Sequence, residues 1–193
     1  MLGLLWLTGI NLRTVILGVP PTLPTLHRVL GLSYSAGGLL TSLPVLVMAI
    51  GAIPGAFLIS RVGPRQAVTY GLALLTTGAA LRAAIPGTLV LFVFTVVFSL
   101  GIAVSQPALP SLAQAWFPRR VGRVIGIYSN GLLVGEVIAA TITLPLLLAR
   151  LGWQAALAVW AIPAARLGRP LAGLHATHRS PARGAGRLGP RLA

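Results

Sequence analysis

The chain has 193 residues, 56% of them hydrophobic and 8% charged, with a mean hydropathy of +0.91. Charge near 25% is usual in a soluble domain, so too little polar surface remains here to coat a globule in water. The net charge of +14 comes from arginine alone, set against a single acid, Glu136, and the absence of cysteine excludes disulfides and thiolate metal sites.

A helix rises about 1.5 Å per residue, so about 20 apolar residues cross the hydrocarbon core of a bilayer. Residues 2–25 form the first such run, with Asn11 and Arg13 near its middle and Gly18, Pro20, Pro21 and Pro24 in its outer half, where a kink or an end is expected. At about 100° per residue, Asn11 and Arg13 point to different sides. Thr8, Asn11 and Thr14 share one stripe; Trp6, Gly9, Arg13 and Leu17 lie on the other.

Residues 26–35 read as a short loop carrying His27 and Arg28, with Ser33 or Ser35 to cap the next helix. The second span is 36–60, bent at Pro44 and Pro54, with Gly37, Gly38, Gly51 and Gly55 allowing close helix approach. A basic turn with Arg61, Gly63 and Arg65 leads into the third span, 67–85, where Arg82 near the end is expected to snorkel to the interface. The fourth span, 88–109, is expected to end irregularly around Gln106, Pro107 and Pro110. A second basic loop with Arg119, Arg120 and Arg123 precedes the fifth, 124–148.

A sixth apolar segment starts near Gln154 and stops at Pro163, too short to cross. Residues 164–193 hold six Arg, five Gly and three Pro with almost no apolar periodicity, and are expected to be disordered. Their composition, with the sudden loss of the sixth span, resembles a GC-rich reading frame translated out of phase. No cleavable signal peptide is evident, because residues 1–12 lack a positive start and no small-residue cleavage pattern comes after them.

The positive-inside rule places Arg61, Arg65, Arg119, Arg120 and Arg123 in the cytoplasm, together with the amino terminus, against Arg28, Arg82 and Arg150 on the other side. A strongly basic chain raises nucleic acid as a partner, but these arginines sit between apolar runs and in the tail, so no specific nucleic-acid partner is expected. His175 and His178 are spaced like a metal pair, yet no acid or Cys lies near them, so no metal or cofactor is expected. No phosphate-binding loop or hydrolase motif occurs, and one acid offers little for an intramembrane enzyme.

Four stretches together resemble the cyanate and nitroimidazole permease branch of the major facilitator superfamily. They are Asn11-Leu12-Arg13; the loop with Gly55, Arg61, Gly63 and Arg65; Leu81-Arg82; and the long run of residues 101–140. The resemblance covers residues 3–163 and implies an all-α membrane fold, the amino-terminal six-helix half of such a carrier with its sixth helix cut short. It also implies secondary transport by alternating access, with a site between two halves near the bilayer midplane. Asn11 and Arg13 match the family's polar pair in the first span. Gln106 stands where an Asn is expected, and Ser60 precedes Arg61 where the superfamily usually has Asp, which weakens the cytoplasmic charge latch.

An arginine at bilayer depth costs about 2.5–3.5 kcal/mol on insertion scales, so Arg13 is expected either to pair with a neighbouring helix or to serve the transport pathway. Its planar fork suits a small planar or carboxylate-like anion, and Asn11 adds a neutral donor or acceptor. Gln106 and Tyr128 are further candidates for lining the pathway; Glu136 is a candidate proton-coupling group, ion-pair partner of Arg13 or structural hydrogen bonder. The expected activity is uptake or export of a small anion or polar solute such as cyanate across the bacterial inner membrane, with proton coupling. The companion of this chain would be a carboxy-terminal half or a second copy. Two rival readings are an inactive remnant of such a carrier and a membrane-anchored interaction protein acting through its basic tail.

Overall fold

The computed structural model describes residues 2–142, 149–159, 161–163 and 166. Helix α1 (Leu2–Leu17) runs into a 3-10 turn (Pro20–Thr22) and then α2 (Leu23–Leu30), so the first apolar run is one broken rod. Next come α3 (Tyr34–Val62), α4 (Pro64–Ala84), α5 (Thr88–Trp116), α6 (Val121–Ile142) and α7 (Ala149–Val159), with no strand among the described residues.

Among the described residues, four stretches are long and apolar enough to cross a membrane: Leu2–Leu30, Tyr34–Val62, Thr88–Trp116 and Val121–Ile142. Helix α4 is not among them, since Gln66, three threonines and Arg82 lower its hydropathy. Its buried positions recur every three or four residues, from Ala67 and Val68 to Arg82 and Ala83, and lay one face along α5. Large apolar side chains stand open on the outside, Ile50 at 78% and Ile53 at 81% exposure on α3 among them. A contiguous face of that kind is stable against lipid or another apolar partner, not against water.

Two sequence expectations about helix bounds do not hold. Residues 26–35 are not all loop: α2 extends to Leu30 and takes in His27 and Arg28, because Pro24 stands in its first turn, where a proline starts a helix and does not end one. The Nδ1 atom of His27 contacts the Leu32 carbonyl, and its ring stacks on Tyr34. Nor does the fourth span end irregularly at 109; α5 continues through Pro107 and Pro110 to Trp116. Pro107 cannot donate to the Ala103 carbonyl, and Gly55 of α3 packs over that oxygen, a Cβ on Gly55 being only 3.1 Å from it. Bare backbone at membrane depth is tolerated where protein covers it.

Within α3, Pro44 and Pro54 lie inside a continuous helix, and Ser33 caps its start by accepting from the Ala36 N–H at 3.2 Å. The turn between α3 and α4 pivots on Gly63, at φ 84 and ψ 156, a region essentially closed to other residues. Gly63→Ala is therefore expected to cost about 2 kcal/mol, read as a lower midpoint in thermal unfolding of the detergent-solubilised protein. The sequence expected a turn at 151–153; Gly152, at φ 79 and ψ 170, breaks α7 there. The end of the expected fifth span, 143–148, and the tail beyond Arg166 lie outside the described residues, including His175 and His178.

Helices associate in three close pairings: α4 with α5, α1 with α6, and α3 with α5. The main core lies between them, with Leu5, Leu12, Leu72, Leu75, Phe98, Ile102 and Leu109 fully enclosed. A second cluster of Val19, Leu26, Leu40, Leu91, Trp153 and Leu157 fills the end at which α1 breaks.

Candidate functional site

Helices α1 and α6 approach closely because three glycines remove the side chains between them. A Cβ on Gly131 would lie 2.5 Å from the Trp6 carbonyl oxygen, one on Gly9 would lie 2.9 Å from that of Tyr128, and one on Gly135 would run into that of Ile10. The pairing is further tied by Trp6 Nε1, which donates to Asn130 Oδ1 at 3.1 Å. This contact fixes which face of α6 meets α1, and it brings Glu136 beside Arg13.

Arg13 Nη2 lies 3.7 Å from Glu136 Oε1, each side chain being 39% exposed. That separation exceeds the 2.7–2.9 Å of a charge-assisted hydrogen bond. The two charges therefore attract without locking, and the guanidinium fork stays available. Its Nε atom is buried and has no hydrogen-bond partner among the described residues.

Helices α3, α5 and α6 also form an open hollow of about 370 Å³ lined by Met48, Gln106, Pro107, Pro110, Tyr128 and Leu132, with Ala52 and Ala103. Two residues singled out in the sequence, Gln106 and Tyr128, thus share one wall. The Tyr128 hydroxyl is buried without a hydrogen-bond partner among the described residues, and Arg13 is near enough for its charge to be felt there. Pro110 also leaves the Gln106 carbonyl without its helical donor, at the edge of the same cavity. The site therefore presents a cation, an amide, a phenol and a freed carbonyl on an otherwise apolar surface.

Asn11 is not part of this group. It is buried on the opposite side of α1, where with Leu7, Ile10 and Thr14 it faces Ile162, Pro163 and Arg166 across a separate cavity of about 320 Å³. The helical angle between positions 11 and 13 is the cause. Of the loop set, Gly55 packs on Ala103, Gly63 makes the turn, and Arg61 lies 4.4 Å over the Phe57 ring. Among the described residues no cluster of three or more metal-ligating side chains forms.

One residue misread in the sequence is Arg82. It does not reach the interface but is wholly buried, with Nη2 donating to the Val15 carbonyl at 3.2 Å and the guanidinium 4.3 Å over the Phe98 ring. A cation in the last turn of a helix gives no sign in the sequence of whether it faces headgroups or a neighbour. Met48 was missed as well, since an apolar side chain lining a cavity looks like any other core residue.

A family model described as Major Facilitator Superfamily matches residues 5–183. The chain belongs to the Major Facilitator Superfamily. The match runs past Pro163, where the motif resemblance ends, into the arginine-rich stretch. Among relatives, the cyanate transport protein CynX of Escherichia coli (strain K12) is 35% identical over 164 residues, 85% of this chain and 43% of that protein. The 2-nitroimidazole transporter of the same organism is 34% identical over 147 residues, 76% of this chain and 37% of that one. This facilitator chain thus spans about two fifths of the length of the curated relatives it matches. Those relatives are transporters, not enzymes.

Solved facilitator structures share the fold. A peptide transporter POT superposes with a TM-score of 0.79 at 20% identity, over 89% of this chain and 37% of that one. The proton:xylose symporter XylE gives 0.72 at 16% identity, over 89% and 43%.

Proposed function

We propose that this chain supplies one wall of a secondary permease that moves a small anion or small polar solute, such as cyanate, across the bacterial inner membrane. The observation that carries the reading is the Arg13–Glu136 pair, two opposite charges 3.7 Å apart on otherwise apolar spans. A cation held that loosely can exchange its carboxylate for an anionic substrate, and the carboxylate so released can take a proton. Gln106 and Tyr128 then offer an amide and a hydroxyl from the neighbouring cavity, and Asn11 acts from the far side of α1 by fixing that helix. The names of the two Escherichia coli relatives support a small, polar, planar solute.

The pair lies on an open face, and the relatives are more than twice as long. Both facts support a second unit facing it, either a further half of a longer protein or a second copy, so that the solute is bound between the two and released by rocking. The orientation proposed is with Arg61, Arg65, Arg119, Arg120 and Arg123 in the cytoplasm together with the amino terminus. Burial of Arg82 removes one charge from the opposite side and sharpens that asymmetry.

Uptake of labelled cyanate tests the reading, in cells without a cyanate carrier of their own. Cells expressing this chain should accumulate label faster than cells with an empty vector, and unlabelled cyanate should compete. Equal rates in the two strains would exclude the two-copy form, and equal rates with the carboxy-terminal half of a relative expressed alongside would overturn the proposal.

A further inference from the structure

We propose that Arg82 is a positioning residue that clamps the break in the first span and so sets the station of Arg13. Backbone donors run short at that break. Gly18 N–H still donates to the Thr14 carbonyl, but Pro20 and Pro21 have no N–H to offer Ile16 and Leu17. The end of α1 therefore carries carbonyls that no downstream residue satisfies, with the negative end of the helix dipole behind them. Into this end, from α4, comes the Arg82 guanidinium, donating to the Val15 carbonyl at 3.2 Å.

No other negative group accounts for so deeply buried a cation. The chain has one side-chain carboxylate, and Glu136 stands beside Arg13. The Phe98 ring covers one face of the guanidinium, and Gly78 brings α4 within touching distance of the Phe98 backbone one turn earlier. A guanidinium keeps its charge at any ordinary pH, so this cation must be held by the helix end and the ring face together.

Arg82 Nε and Nη1 have no hydrogen-bond partner among the described residues, so the bond to Val15 carries the polar side of the clamp. Held through the Val15 carbonyl and covered by the Phe98 ring, the guanidinium fixes the break at one bend. Arg13 sits two residues before Val15 on the same rigid helix, so the bend angle is transmitted to the Arg13–Glu136 pair. Only the functional consequence depends on Arg13 binding substrate; the bend itself is measured without transport.

The natural absence of cysteine makes the measurement direct. Spin labels at Leu7→Cys on α1 and Val29→Cys on α2, both exposed, report the span's two limbs by pulsed electron resonance in nanodiscs. A control pair, Leu74→Cys on α4 and Leu133→Cys on α6, reports the rest of the bundle. With Arg82 present, the limb distance should be narrowly distributed. Arg82→Gln should broaden that distribution about twofold, as expected of a kink that loses what fixes it, and leave the control pair unchanged. Arg82→Lys, which keeps a cation and a donor for Val15, should restore much of the narrow distribution. An unchanged limb distribution in Arg82→Gln, equal broadening of both pairs, or no rescue by lysine would overturn the proposal.

Discussion

Arg13→Ala is expected to cut cyanate uptake strongly while the protein still inserts and accumulates in the membrane. A hydrogen bond from a charged group to the anion is worth about 1.5–3 kcal/mol, and each 1.4 kcal/mol or so is a factor of about ten, so uptake at limiting substrate should fall about ten- to a hundredfold. The loss should not come from unfolding. Arg13 is partly exposed, its contact to Glu136 is longer than a hydrogen bond, and the glycine seam between α1 and α6 does not involve its side chain. Arg13→Lys separates charge from shape: an ammonium keeps the attraction but loses the planar fork, so partial uptake is expected. Initial rates of labelled cyanate entry, normalised to membrane content of each variant, decide the matter. Undiminished uptake in Arg13→Ala would remove this residue from the site.

The second large effect is structural. Gly135→Leu should separate α1 from α6, because even the first atom of a side chain at that position runs into the Ile10 backbone, which cannot rotate away as a side chain would. Overpacking of that kind costs about 3 kcal/mol, and for a chain of this size about 10 °C in the unfolding midpoint. Gly126→Leu is the matched control on the same helix. It is exposed, and an added Cβ there meets nothing within 4 Å, so its midpoint should stay close to that of the parent. The comparison also tests the site. If the α1–α6 seam places Glu136 beside Arg13, Gly135→Leu should lose uptake beyond what its reduced membrane content explains.

The seam shows why parts of the site could be read in advance. A lone arginine and a lone glutamate in apolar runs are costly enough that each must find polar company, so Arg13 and Glu136 could be named from composition. Gln106 and Tyr128 could be named because an amide next to proline and a phenol early in a span are unusual at that depth. The angle of about 100° per residue also separated Asn11 from Arg13, and the fold places them on opposite sides of α1. Proline was the weaker guide. Pro24 starts a helix and Pro107 lies within one, because the effect of a missing donor depends on position in the turn and on what covers the bare carbonyl.

The sequence by itself determined that this is an all-α membrane chain of the facilitator type, since hydropathy, scarcity of charge and the motif stretches are one-dimensional properties. It also named the residues too polar for where they lie. Only the tertiary structure decided which of them meet. It joined Arg13 to Glu136 across 123 positions, set Gln106 beside Tyr128 and left Asn11 apart. It also turned Arg82 inward to a broken helix end. The reason is that a side chain's partner is set by which helix faces pack together, and packing here depends on backbone contacts at glycines and freed carbonyls that no local pattern in the sequence encodes.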